Sequence, residues 1–167
     1  MLIDDFSGPD LRSHLGTEWR AVSDRVMGGV SKASIAIGRL DGRNGLRLRG
    51  DIRLDNDGGF GQAALDLAPP GKTFDASSYA GIRFLALGND ERYAIHLRTL
   101  DCVRPWQSYR AQFTAVPTWQ WVALPFDAFV PHRLQAPLDT ASMRRLGLVA
   151  IGRSFEADVM ISELSLF

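Results

Sequence analysis

Between Leu46 and Leu54 apolar and charged residues alternate. Leu46, Leu48, Ile52 and Leu54 fall on one side, and Arg47, Arg49, Asp51 and Arg53 on the other. A period of two sends successive side chains to opposite faces of an extended chain. One apolar face and one charged face belong to an antiparallel sheet covered on a single side. The rest of the chain follows suit. Extended stretches are expected at Leu2 to Phe6, Trp19 to Val22, Ser31 to Ile37 and Phe60 to Leu67. Others are expected at Ile82 to Leu87, Tyr93 to Leu100, Tyr109 to Thr114, Trp119 to Pro125, Leu146 to Ile151 and Val159 to Leu166. Turn residues such as Asp41-Gly42 and Asn44-Gly45 separate them and predict a hairpin between the third strand and the next. Only Asp10 to Leu15 and Asp139 to Arg145 suggest a helical turn, and Phe126 to Leu138 reads as a loop. Many short strands without a long helical period predict an all-β sandwich of one domain spanning 1–167.

The 46% hydrophobic content supplies a sizeable core, and 19 basic residues balance 19 acidic ones. A neutral total argues against a general electrostatic partner such as nucleic acid or an anionic membrane surface. With one cysteine, Cys102, there is no internal disulfide and no cysteine metal cluster. No apolar run approaches the roughly 20 residues of a membrane span. The N-terminal residues have neither a basic segment nor a long apolar one. A cytoplasmic location is expected.

The stretch Trp19 to Ser31 is the least generic in the chain. Asp24 and Arg25 precede the adjacent glycines Gly28 and Gly29. Ser-Asp pairs bond nearby backbone N–H groups, and glycine permits positive φ or close backbone approach. A shaped loop is expected. One reading makes it a partner-binding surface, with Asp24 pinning the backbone and Arg25 reaching outward. The other makes Asp24 and the glycines purely architectural.

Several segments resemble, in order, the complex I intermediate-associated protein 30 family. They are Trp19 with Ser23-Asp24-Arg25-Val26-Met27-Gly28-Gly29-Val30-Ser31, then Asn56-Asp57-Gly58-Gly59-Phe60 and Ser78-Tyr79-Ala80-Gly81-Ile82. Tyr93 to Arg98, Tyr109 to Phe113 and Trp119 to Phe126 follow. The resemblance implies a galactose-binding-domain-like jelly-roll β-sandwich. It also implies kinship with non-catalytic assembly factors of NADH:ubiquinone oxidoreductase, whose partners are respiratory complex subunits or intermediates. The start of this chain carries no transit peptide, which suggests a stand-alone relative.

The polar set His96, Arg98, Arg110 and Gln112 is expected on one sheet face if its two strands are neighbours. Trp106 lies in the loop between them, where it could anchor a protein or stack on a sugar ring. The candidate binding residues are therefore Asp24, Arg25, Met27, Gly28, Gly29, Ser31, His96, Arg98, Trp106, Arg110 and Gln112. Against this stands a solvated face with Trp106 folded over the sandwich edge. Asp55-Asn56-Asp57-Gly58 has the oxygens of a calcium loop but neither its spacing nor a closing Glu, so a turn is expected and no metal. Trp119 and Trp121 are expected to pack together in the core. No nucleophile elbow, zinc-protease helix or phosphate loop is present. A Cys102–His96 pair is the weakest option. The expected function is a non-catalytic protein-binding module without a cofactor. The alternative is a carbohydrate-binding module.

Overall fold

The computed structural model describes all residues, 1–167. Twelve strands form two six-stranded sheets. They are β1 Leu2–Asp4, β2 Arg20–Ser23, β3 Lys32–Leu40, β4 Arg43–Ile52, β5 Phe60–Asp66 and β6 Gly81–Gly88. There follow β7 Glu91–Thr99, β8 Ser108–Ala115, β9 Gln120–Pro125, β10 Val130–His132, β11 Met143–Ile151 and β12 Phe155–Leu166. One sheet runs β3-β4-β12-β6-β9 with β1 on β12, and the other runs β10-β8-β7-β11-β5-β2. Every pairing is antiparallel. This is the antiparallel sandwich expected from the alternation, with the jelly-roll arrangement that the family resemblance implies.

The inner faces share one hydrophobic cluster that includes Leu46, Leu48, Ile52, Ile82, Phe84, Ile95, Leu97, Leu148 and Ile161. Trp19 is buried against Phe6, and its indole Nε1 donates to Asp4 Oδ2 at 2.9 Å. The β3–β4 hairpin turns at Asp41-Gly42, and β12 closes beside β1.

Four expectations need correction. Leu54 lies beyond β4 and is exposed, because the alternation ends with the strand at Ile52. No helical turn forms at Asp10 to Leu15, where Arg12 instead bridges Glu18. At Asp139 to Arg145 a single 3-10 turn, Thr140–Ser142, is capped by the Asp139 carboxylate, and β11 starts at Met143. The stretch from Phe126 to Leu138 contains a short edge strand, β10.

The tryptophan pair also separates. Trp119 precedes β9, so the strand alternation does not reach it, and its Nε1 donates to the Leu40 carbonyl at 3.0 Å. Trp121 faces outward at 56% exposure, with the Arg83 guanidinium 5.4 Å from the ring centroid. The inward positions of this edge strand are Val122 and Leu124.

Candidate functional site

The outer face of the second sheet carries a groove of about 440 Å³ that crosses all six of its strands. Its floor follows from register. His96 on β7 is paired with Arg110 on β8 and with Gly147 on β11. One step along, Arg98 is paired with Arg145. Alternation turns Tyr93, Ile95 and Leu97 into the core, so His96 and Arg98 face the groove.

Two loops wall the groove. One is the Trp19 to Ser31 stretch, whose 3-10 turn Asp24–Met27 sets Val26 and Met27 on the rim. Ser23 Oγ accepts from the Arg25 amide at 3.3 Å, and Gly28 closes the turn with φ 85°. Asp24 is wholly buried and accepts from the Ser31 amide at 2.9 Å, the Ser31 hydroxyl at 2.5 Å and the Gly59 and Phe60 amides at 2.5 and 3.3 Å. Burial opposes the Asp24 charge, but hydrogen bonds from Ser31, Gly59 and Phe60 outweigh it and hold the carboxyl below its ordinary value. Gly29 and Gly58 lie so close to this carboxylate that a Cβ on either would collide with it. Asp24 therefore locks the first loop to the turn at Asp55–Asp57.

The other wall is the loop from β7 to β8. Gln107 Oε1 accepts from the Val103 and Arg104 amides at 3.0 and 2.9 Å, and its Nε2 donates to the Arg133 carbonyl at 3.1 Å. Arg98 donates to the Pro105 and Cys102 carbonyls at 2.8 and 3.1 Å. So braced, the loop holds Trp106 on the groove edge at 53% exposure.

The structure thus brings Met27, His96, Arg98, Trp106 and Arg110 together in one place. Gly28, Gly29, Ser31 and Asp24 frame the wall without lining the groove. Arg25 does not reach outward to it, because its Nε bends back to the Ser31 carbonyl at 3.2 Å. Gln112 shares the sheet face but sits beyond the groove, opposite Ala94. Gln62, His132, Arg133, Arg145 and Val26 line it and were not among the candidates. For His132 and Arg133 the missing signal was β10 itself.

The electrostatics of the floor are uneven. His96 Nε2 is buried without a hydrogen-bond partner. Burial, with the charges of Arg110 and His132, pushes its pKa down to about 3, so the ring is neutral near pH 7. Burial and the neighbouring Arg133 lower the Arg110 pKa. Cys102 lies in the core, so a Cys102–His96 pair is not assembled. The residues Asp55–Asp57 form a 3-10 turn. Three possible metal ligands converge at Asp4, Asp5 and His14. There Asp4 accepts from Phe6 and Trp19, and Asp5 from Ser7 and His14. A second depression of about 480 Å³, on the other sheet, is lined by charges of both signs, Lys32, Arg49, Asp51, Glu156 and Asp158, and no aromatic. No helix is long and apolar enough to cross a membrane.

Two antiparallel sheets with a groove across one face define a galactose-binding-like jelly roll. Solved structures agree on this fold. The family 11 carbohydrate-binding module of cellulosomal cellulase Lic26A-Cel5E of Clostridium thermocellum is 19% identical, with a TM-score of 0.75 over 100% of this chain and 93% of that one. The family 11 module from Clostridium thermocellum in complex with a β-1,3-1,4-mixed-linked tetrasaccharide is also 19% identical, with a TM-score of 0.73 over 99% and 94%. The family 30 module of cellulosomal cellulase Cel9D-Cel44B of the same organism is 17% identical, with a TM-score of 0.66 over 89% and 90%. No protein with a curated description matches the chain significantly in sequence. The sequence model of complex I intermediate-associated protein 30 (CIA30) matches residues 5–159, and the chain belongs to that family.

Proposed function

We propose that this chain is a non-catalytic binding module with a role related to complex I assembly, and that it holds a protein partner in the groove. The carrying observation is the groove edge. Val26, Met27 and Trp106 are exposed there at 74%, 57% and 53%, beside the guanidinium groups of the floor. Trp, Met and Arg are the residue types enriched where protein interfaces bury surface. Membership of the CIA30 family supports the assembly role. A non-catalytic reading is supported by His96, which at a pKa of about 3 is too weak a base for proton transfer near pH 7. In this reading Met27, His96, Arg98, Trp106 and Arg110 contact the partner, and Asp24, Gly28, Gly29 and Ser31 keep the wall in shape.

Carbohydrate binding is the second reading. It is favoured by one exposed indole above a polar floor, on a fold shared with a module solved with a tetrasaccharide. A tagged pull-down from the source cells separates the two. The protein reading expects respiratory complex I subunits to copurify with the wild type and to be lost with the folded variants Trp106→Ala and Met27→Ser. Equal recovery with both variants would refute the groove as the surface. Retardation by mixed-linkage β-glucan in affinity electrophoresis, abolished in Trp106→Ala, would favour the second reading.

A further inference from the structure

The groove concentrates positive charge that the chain as a whole does not have. The 19 basic and 19 acidic residues cancel overall, yet four arginines line the groove against one acid, Asp57. Arg145 is neutralised by Asp66, with Nε 2.9 Å from Oδ1. The other three, Arg98, Arg110 and Arg133, have no carboxylate partner anywhere in the chain. Arg98 spends its donors on loop carbonyls, and Arg110 uses only Nε, on Ser108 Oγ at 2.9 Å. Unpaired guanidinium groups on a partly desolvated floor repel one another, and an anion would relieve them. His96, whose Nε2 is unpartnered, is paired with Arg110 across the strands and stands two residues from Arg98 on β7.

We propose that the groove receives an acidic segment of a partner protein, with Asp or Glu carboxylates on Arg110 and Arg133 and a neighbouring apolar side chain between Met27 and Trp106. The inference rests on the protein-binding reading above. A planar guanidinium with free N–H donors matches a carboxylate in two-point contact. The aliphatic Val26 and Met27 wall favours a peptide, whose aliphatic side chains fit it, over a nucleic acid, whose flat bases use only the indole of Trp106. Neutral glycan hydroxyls would leave the arginine charges uncompensated.

The test selects random peptides displayed on phage with the whole purified chain. Binders are counter-selected on the double variant Arg110→Gln/Arg133→Gln. Because Arg110 is half-buried, the exposed single variant Arg133→Gln is run in parallel, and thermal melting checks that each is folded. The expected result is groove-dependent peptides enriched in Asp or Glu next to an aliphatic or aromatic residue. The leading synthetic peptide should bind the double variant about tenfold more weakly, and weaken about tenfold between about 50 and about 300 mM salt. Groove-dependent peptides without an acidic excess would overturn this inference and leave the protein reading standing. No groove-dependent peptide would overturn this inference, and retention of mixed-linkage β-glucan or of single-stranded nucleic acid that Trp106→Ala abolishes would overturn the protein reading as well.

Discussion

Asp24 shows how one side chain builds a wall. It accepts four hydrogen bonds from Ser31, Gly59 and Phe60 and is wholly buried. Asp24→Asn keeps the shape but turns an amide donor toward a backbone donor, and should cost about 1–3 kcal/mol by urea unfolding. Gly29→Ala should destabilise as well, since its Cβ would collide with the carboxyl group. The sequence displays the carboxylate and the glycine pair. It does not display the distant partner at Gly59, which needs the sandwich to bring two loops together.

His96 gives a prediction with a sign. The folded chain keeps the ring neutral down to about pH 3, whereas the unfolded chain takes up a proton below the ordinary value of 6.5. Between those values the unfolded state binds more protons, so stability is unpenalised above 6.5 and falls with acidification. Through this group the wild type should lose up to about 3 kcal/mol between about pH 7 and about pH 4. His96→Gln should lack that part of the slope in urea unfolding at matched pH. An unchanged slope would contradict the assigned burial.

At the scale of elements, strands were legible wherever alternation met a turn signal. β4, β7 and β8 are examples, with Leu46, Ile95 and Ala111 inward and Arg47, His96 and Arg110 outward. β10 was not legible, because Val130-Pro131-His132 is too short to show a period and carries a proline. It survives as an edge strand, where a missing N–H costs least. Trp121 misleads for a related reason. An edge strand leaves an outward indole partly covered by Arg83, and aromatic content alone cannot tell face from face. The β7–β8 loop depends on Gln107, which caps two amides and reaches Arg133. Gln107→Ala should speed amide exchange at Val103 and Arg104 about tenfold, with a melting shift of only about 1–3 °C. Equal acceleration throughout β7 and β8 would mean that the loop is not a separate unit.

Across the whole molecule the two sheets share one core but have unlike outer faces. One carries a depression of mixed charge without an aromatic. The other carries the arginine floor, with Met27 on one wall and Trp106 on the other. The β-sandwich was readable from sequence because alternation is a local property. The groove was only half readable, because it joins residues that are neighbours through register alone, such as His96 and Gly147. The two exposed tryptophans provide a matched comparison, at 53% for Trp106 and 56% for Trp121 on the opposite sheet. The decisive measurement is photo-crosslinking in the source cells with p-benzoylphenylalanine placed singly at each position. If the groove is the binding face, the position 106 variant forms covalent adducts that include respiratory complex I subunits, and the position 121 variant does not. Adducts from position 121 with none from position 106 would contradict it.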